Sequence, residues 1–232
     1  MKTALKSGLL VAATMLMALT TSAQVVETTE YDDGRVYTGQ RDGKGKINGQ
    51  GMMTWPNGDR YEGQWKKGNQ EGEGTYYWAN GLVYTGQWKK NMINGHGIFR
   101  FPNGSVMEGD WKGMGTGTGS LLMADGSRYD GQFIGGLCHG QGVWECDDYR
   151  YEGNYVKGHR TGFGKIRLKS GETYEGNWNN DFRQGQGTAI YPDGAHYEGG
   201  WLNDKYEGQG RYVNAEGIVV EGMFRNGKIV EQ

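Results

Sequence analysis

The sequence contains few of the residues that define fibrous, disulfide-bonded or nucleic-acid-binding proteins. Only 3 of its 232 residues are proline and only 2 are cysteine, which excludes a collagen-like chain and a disulfide-rich scaffold. The formal net charge is only −2, whereas a dedicated nucleic-acid binder is usually clearly basic. The histidines His96, His139, His159 and His196 show no metal-ligand spacing. The sequence therefore predicts no metal, no cofactor and no nucleic-acid partner.

Long apolar runs are also scarce, and the one that stands out lies near the amino terminus at 9–19. It follows Lys2 and Lys6 and precedes small residues at 21–23. This order is typical of a signal peptide and predicts cleavage after Ala23. The run is too short to span a bilayer comfortably, and an uncleaved amino-terminal anchor is the alternative interpretation. Because the signal is compact and of bacterial type, we expect export to the periplasm, the cell surface or the extracellular space.

Glycine and aromatic residues are abundant instead, and they recur in a fixed order. The 44 glycines come with 8 tryptophans and 15 tyrosines, too many rings for a disordered linker. A segment of the type Tyr-Glu-Gly-x-Trp begins at nine positions: Tyr37, Tyr61, Tyr84, Met107, Tyr129, Tyr151, Tyr174, Tyr197 and Val220. Successive starts are 22 to 24 residues apart. Such a narrow spacing indicates a tandem repeat.

Each repeat continues with a Gly-x-Gly pair, an alternating apolar stretch and a turn. In the repeat that starts at residue 61, Gly72 and Gly74 begin this second half and an Asn-Gly pair at 80–81 closes it. Alternation with a period of two marks a strand with one apolar face. Asn-Gly pairs accept the positive φ angles of tight hairpin turns. The Asp-Asp pair at 147–148 lacks glycine, so we expect a different turn there.

The same alternation divides the first half of each repeat between two faces. Tyr61, Gly63 and Trp65 share one face, and Glu62 and Gln64 share the other. We interpret the glycine as a packing device that leaves room for neighbouring rings to lie across it. Backbone strain at the glycine is the alternative interpretation.

This order of motifs resembles the MORN repeat family (membrane occupation and recognition nexus) over about residues 37–224. The resemblance implies an all-β fold, an elongated, single-layer, twisted antiparallel sheet with one hairpin per repeat. The chain then divides into a signal peptide (1–23), an amino-terminal capping half-repeat (24–36), nine repeats of which the last is incomplete (37–224), and a carboxy-terminal tail (225–232). Met107 and Val220 depart from the pattern at the leading aromatic, and Arg41 replaces the tryptophan.

The resemblance also implies a noncatalytic binding or scaffolding function, since family members serve mostly as partner-binding platforms. We expect an aromatic and glycine-rich surface that meets a protein or cell-envelope component. Some members are linked to anionic lipids or to dimer formation, so a homodimer is an open option.

Two sets of residues are the candidates for partner binding. The rings are Trp65, Trp88, Trp111, Trp178 and Trp201, and the basic residues at the loop edge are Lys66, Lys67, Lys89 and Lys90. Tryptophan suits protein, glycan and lipid surfaces, and a basic rim suits anionic lipid or polysaccharide. A glycan- or anionic-lipid-surface binder is therefore the main alternative function. The structural alternatives are that the rings only hold the sheet together and that the lysines are ordinary surface residues.

A third function, polysaccharide hydrolysis, has the least support. Carboxylates at one repeat position, such as Glu62, Glu175 and Glu198, should form a ladder with a spacing of ~9.6 Å, two strands apart. This spacing barely permits the inverting geometry of a glycoside hydrolase. A flat sheet offers no cleft, so we assign no catalytic residue and expect solvated carboxylates.

Overall fold

A computed structural model describes residues 26–230, which form one antiparallel sheet of 19 strands. The predicted signal peptide and its cleavage site after Ala23 lie outside the described residues. The strands are β1 (Glu27–Glu30), β2 (Val36–Arg41), β3 (Ile47–Thr54), β4 (Arg60–Lys66), β5 (Asn69–Tyr77), β6 (Val83–Lys89), β7 (Met92–Arg100), β8 (Val106–Lys112), β9 (Gly117–Leu122), β10 (Arg128–Ile134), β11 (Leu137–Glu145), β12 (Tyr149–Val156), β13 (His159–Leu168), β14 (Thr173–Asn179), β15 (Phe182–Ile190), β16 (His196–Leu202), β17 (Lys205–Val213), β18 (Val219–Arg225) and β19 (Lys228–Ile229).

Every strand pairs with its neighbours in the sequence, so the sheet is a continuous meander. Within residues 26–230 no pairing joins β1 to β19, and the sheet is open at both ends. The prediction of an all-β sheet of tandem hairpins is confirmed. No stretch of the described chain is a helix with the length and apolar character needed to cross a membrane.

One edge of the sheet, the Asn-Gly edge, consists of turns such as that at 55–59. Gly58 N–H donates to the Trp55 carbonyl at 3.0 Å, and Trp55 N–H donates to the backbone carbonyl of Asp59 at 3.0 Å. Gly58 has a φ of 91°, whereas Asn57 is not among the residues with positive φ. The positive φ that the Asn-Gly pair was expected to accept is therefore found at its glycine and not at its asparagine. The turn is of type I with a left-handed glycine behind it. The turn at 78–82 has the same hydrogen bonds with Ala79 in place of the proline, so the proline fits this turn without selecting it.

The opposite edge, here called the lysine edge, consists of shorter turns such as those at 66–69 and 89–92. Both central residues have positive φ there, 52° and 84° at Lys67 and Gly68 and 50° and 65° at Lys90 and Asn91. These are the two-residue turns whose twist matches that of the strands. One turn of the Asn-Gly edge, the Asp-Asp turn at 147–148 between β11 and β12, is also short. Its Cys146 N–H donates to the Tyr149 carbonyl at 3.0 Å. The prediction of a different turn there is confirmed.

A continuous row of glycines, one from each strand from β2 to β18, crosses the sheet in register. Its members are Gly39, Gly51, Gly63, Gly74, Gly86, Gly97, Gly109, Gly119, Gly131, Gly142, Gly153, Gly164, Gly176, Gly187, Gly199, Gly210 and Gly222. The ring of Tyr61 lies across this row, and a Cβ built on Gly74 would approach its Cε2 to 2.6 Å. The interpretation of these glycines as a packing device is confirmed.

The first glycine of each Gly-x-Gly pair has a different role. Gly72 has a φ of 69°, a left-handed conformation that glycine adopts without the Cβ penalty. It lies where the pairing of β4 and β5 shifts register between Gly63 and Trp65. Here the backbone itself selects glycine, a role that the sequence analysis did not assign to the Gly-x-Gly pair.

The rings that lie across the glycine row form the core of the protein. Tyr61 is fully buried and its hydroxyl donates to the Gln64 carbonyl at 3.0 Å. Its ring meets Trp65 edge to face at a centroid distance of 5.1 Å and Trp88 at 5.3 Å. Similar contacts join Tyr151 to Trp178 and continue along the sheet. The side chains of the sheet therefore supply the second layer that a lone sheet lacks.

Candidate functional site: an aromatic groove

The predicted partner-binding tryptophans belong to this core and are nearly inaccessible to solvent. Their exposed fractions are 6% for Trp65, 6% for Trp88, 1% for Trp111, 5% for Trp178 and 3% for Trp201. Each indole N–H donates to the carbonyl of a row glycine, at distances of 2.8 to 3.1 Å. The five rings thus form no exposed strip, because every one of them is bonded and covered by its neighbours.

Trp178 shows how completely these rings are covered. Its indole N–H donates to the Gly164 carbonyl at 3.1 Å, and Tyr151 and Tyr174 pack against it edge to face at 5.4 and 5.1 Å. The guanidinium of Arg160 lies 4.4 Å from the ring centroid, a cation–π contact. A partner could reach this ring only after Arg160 had moved.

Other rings on the aromatic face, the face that carries Tyr61 and Trp65, stay half-buried and surround a groove of about 700 Å³. We call this the aromatic groove; it is lined by Tyr31, Arg35, Ile47, Met53, Trp55, Trp65, Gly68, Gln70, Tyr76, Trp78, Trp88, Asn91, Met92, Ile93, Gly113 and Met114. Tyr76 lies at its centre, 5.5 Å from Trp55 and 4.5 Å from Trp78 between ring centroids. Met92 and Met114 lie at the lysine edge and are 62% and 50% exposed.

The polar groups at the groove fix its aromatic wall. The Tyr76 hydroxyl donates to Asp59 at 2.9 Å, and Ala79 N–H donates to the same carboxylate at 2.9 Å. Burial acts to raise the pKa of Asp59, but these hydrogen bonds and one from Asn57 outweigh it and lower that pKa. Burial and the adjacent carboxylate raise the pKa of Tyr76. The neutral phenol and the ionised carboxylate therefore hold the Tyr76 ring in place.

The repeat pattern matches a known family of sequences. The model of the MORN repeat matches seven segments, 43–60, 61–83, 84–106, 129–149, 151–173, 174–196 and 197–219. The chain belongs to the MORN repeat family. Six of the seven segments begin at a start of the repeat described above. The MORN array also continues structurally through β8 and β9, which the matched segments leave out.

The comparison with solved structures gives similarities of low identity to other proteins. The CPAP G-box domain, described as a microcephaly protein with a suggested role in centriole elongation, has 13% identity and a TM-score of 0.44 over 87% of this chain and 100% of that one. An E1021V mutant of the Danio rerio CPAP TCP10 domain has 14% identity and a TM-score of 0.40, covering 85% and 99%. The Drosophila melanogaster SAS-4 TCP domain, in complex with a proline-rich motif of Ana2, has 17% identity and a TM-score of 0.35. The match covers 76% of this chain and 84% of that one. No curated protein matches the sequence.

The predicted lysines lie at the lysine edge of the MORN array, beside the groove. Lys66, Lys67, Lys89 and Lys90 are all exposed. Gly68 and Asn91, from the same two turns, line the groove itself. The four lysines therefore border the aromatic groove without entering it. Among the residues that line it, Arg35 alone is charged; its guanidinium contacts Asp33 at 2.8 Å.

The carboxylate ladder lies on the opposite face, as the alternation predicts. Glu175 and Glu198 are separated by one intervening strand, through Thr188 of β15, and both line a shallow depression of about 520 Å³. Glu175 is paired with Lys165 at 3.0 Å. Within residues 26–230 no cluster of histidine, cysteine, aspartate or glutamate is arranged to hold a metal ion.

The groove residues that the sequence analysis did not select come from the second half of the repeats. Trp55, Tyr76 and Trp78 stand in the alternating stretch after the Gly-x-Gly pair, and this pattern was the signal that could have identified them. Met92 begins β7 at the lysine edge, and Met114 lies in the loop between β8 and β9 at the same edge. No repeat pattern marks these methionines.

Proposed function

We propose that this MORN protein is a noncatalytic scaffold that binds an apolar segment of a partner protein in the aromatic groove. The observation that carries the proposal is a concave site with half-buried rings and exposed methionines, on a sheet whose other large rings are mostly used for self-packing. Concave, largely apolar sites with few polar groups are typical of ligand binding.

Two features favour a protein segment over a glycan. The rings of Trp55 and Tyr76 are tilted by 34° and those of Tyr76 and Trp78 by 43°, so they form walls instead of one flat stacking platform. Met92 and Met114 at the mouth are flexible thioethers, which adapt to apolar protein side chains. Arg35, the single charged lining residue, is already paired with Asp33 at 2.8 Å, which leaves the groove suited to an apolar segment.

The alternative, a glycan- or anionic-lipid-binding surface, is supported by the exposed lysines of the lysine edge. Lys66 and Lys67, and Lys89 and Lys90, project from neighbouring hairpins, where they add to a local positive potential. With the predicted export signal, both versions place the partner in the periplasm, at the cell surface or outside the cell.

The test uses a photocrosslinking amino acid in the full chain, produced in its own host. It replaces Met92 or Met114 at the groove, or Leu202 as a control that is 44% exposed on the lysine edge away from the groove. We expect the same protein, crosslinked through one defined peptide, from both methionine positions. That product should disappear when Trp78→Ala removes a groove wall and should be absent from the Leu202 position.

Two outcomes would contradict the proposal. One is the absence of a common peptide at the two methionine positions. The other is binding to vesicles that contain about 30% phosphatidylglycerol as the anionic lipid, if that binding is abolished by Lys66→Glu with Lys89→Glu and unchanged by Trp78→Ala. The second result would favour the lipid alternative.

A further inference from the structure

Both ends of the sheet present backbone groups that no strand within the described residues covers. At the amino-terminal end, β1 pairs only with β2, through residues 27–30. At the other end, β19 covers only Phe224 and Arg225 of β18, and Val230 N–H reaches the Met223 carbonyl at 2.7 Å. The stretch Val219–Gly222 therefore has a free edge of four residues, the same length as β1.

The two free edges belong to opposite types of strand. Odd-numbered strands inside the array carry the Gly-x-Gly half of a repeat, and even-numbered strands carry the Tyr-Glu-Gly-x-Trp half. The first strand is of the odd type and β18 is of the even type, and the two types alternate throughout the sheet. A β1 strand placed beside β18 would continue this alternation, whereas two β18 strands placed together would break it.

The hydrogen-bonding groups of the two edges are in phase. Tyr31 N–H bonds Arg35 inside the first hairpin. Since facing residues of an antiparallel pair alternate between bonded and non-bonded, Thr29 and Glu27 bond β2 while Thr28 and Glu30 direct their groups outward. On β18, the bond from Val230 to Met223 shows that the outward residues are Met223, Glu221 and Val219.

The register of the array then fixes which residues would meet. Within the array Gly199 faces Gly210 and Glu198 faces Arg211. The equivalent pairing sets Glu221 against Thr28 of a second copy and Val219 against its Glu30. Both are pairs of outward-directed residues, so the free N–H and C=O groups of one edge would find acceptors and donors on the other.

The side chains at the two edges complement each other as well. In the array a tyrosine lies over the glycine of the following odd strand, as Tyr61 does over Gly74. Val220 replaces that tyrosine in β18, and Glu27 replaces that glycine in β1, so neither the ring nor the room for it is needed at this junction. Ile218, Val219 and Val220 are 61%, 47% and 37% exposed, an apolar stretch beside Glu221 of the kind that pairs with another strand.

We infer that a second copy of this chain docks head to tail, with its β1 pairing antiparallel with β18 of the first copy and the glycine-row register maintained. The contact is heterologous, since different surfaces meet, and each copy added presents a new free β18. Contacts of this type do not close at a dimer and generate open chains of subunits. The inference is independent of what the aromatic groove binds.

The test is disulfide trapping with the full chain. Thr29 and Val220 would face each other as a non-bonded pair, for which the Cα separation is about 4.5 Å, within the range of a disulfide. A chain with both Thr29→Cys and Val220→Cys should give a ladder of covalent dimers, trimers and larger species on a non-reducing gel. The unmodified chain, which retains Cys138 and Cys146, and each single variant should give none.

Light scattering supplies the second measurement and guards against a variant that fails to fold. The mass of the unmodified chain should rise with concentration beyond that of a dimer. Thr28→Pro removes one outward N–H from an edge strand and should suppress this rise while the melting temperature stays unchanged. A missing ladder, a covalent dimer from Val220→Cys alone, or a mass that stops at two copies would overturn the inference.

Discussion

Replacing Gly74 by alanine tests whether the glycine row exists to accommodate the tyrosine rings. Gly74 has no positive φ, so alanine introduces no backbone strain there. The added Cβ would lie 2.6 Å from Cε2 of Tyr61 and still closer to the hydroxyl end of the ring. The ring must therefore withdraw by roughly 1 Å to restore van der Waals contact.

Three effects determine the magnitude. Overpacking of a rigid core costs about 1–3 kcal/mol. Displacing the ring also weakens the bond from the Tyr61 hydroxyl to the Gln64 carbonyl, now 3.0 Å, which is worth about 1 kcal/mol. Against these, alanine reduces the entropy of the unfolded chain and returns about 0.4–1 kcal/mol. The clash prevails, and we expect a net destabilisation of about 2–3 kcal/mol, or a loss of roughly 5–10 °C in Tm.

The assay is thermal and urea unfolding followed by tryptophan fluorescence. Gly43→Ala is the matched control, because nothing lies within 4 Å of that position and its φ is not positive; its stability should change by less than about 0.5 kcal/mol. In a Tyr61→Ala background the Gly74→Ala change should lose most of its cost, a coupling of about 2 kcal/mol. If Gly74→Ala and Gly43→Ala unfold alike, the packing explanation is refuted.

Three further predictions follow from the same contacts. Burial raises the pKa of Tyr84 to about 12, above its usual 10, so the stability this residue contributes is complete below pH 10 and is lost as the pH rises from about 10 to about 12; melting curves across pH 8–12 measure this loss, and a flat profile would contradict it. Trp178→Phe keeps a ring but leaves the Gly164 carbonyl without its indole donor, so it should cost about 1–2 kcal/mol, whereas Trp178→Ala should cost about 3–5 kcal/mol; no loss of stability for Trp178→Phe in urea unfolding would show that the N–H contributes nothing. Lys90 has a φ of 50°, and Lys90→Asn should raise stability by about 0.5 kcal/mol because asparagine tolerates this conformation better; a lower Tm would show that the lysine side chain itself stabilises the turn.

The fold could be predicted from the sequence because every repeat contains the same alternation of residue types and has nearly the same length. Alternation places Tyr61 and Trp65 on one face, and a constant repeat length sets equal residues beside each other on successive hairpins. The turn types were harder to predict, since an Asn-Gly pair fits two kinds of turn and the same turn forms with Pro56 in one hairpin and Ala79 in the next. The left-handed lysines, Lys67 and Lys90, carry no turn signal at all, because their conformation is imposed by the two paired strands.

The candidate site could be predicted only in part. Tryptophans in a single-layer sheet predict an exposed strip if their rings project away from the plane of the sheet. In the structure the rings lie flat over the sheet, because each indole N–H donates to a glycine carbonyl on the preceding strand, as Trp88 does to Gly74 at 3.1 Å. This bond joins residues 14 positions apart and follows from the tilt of the rings, which the alternation does not specify. The half-buried rings that line the groove are therefore Tyr76 and its neighbours, and not the predicted tryptophans alone.

A sheet that covers its own apolar face leaves a partner few places to bind. Over most of the array the tyrosines occupy the space above the glycine row and the tryptophans bond its carbonyls, so displacing them would cost core packing. Self-covering is incomplete where half-buried rings surround the aromatic groove and where β1 and β18 lack a neighbouring strand among the described residues. The first suits an apolar segment, which gains contact without displacing a buried ring. The second suits another strand of the array's own type, since it offers hydrogen bonds in a fixed register. Binding and assembly can therefore proceed at separate surfaces, and a variant that blocks the β18 edge should leave capture at the groove intact.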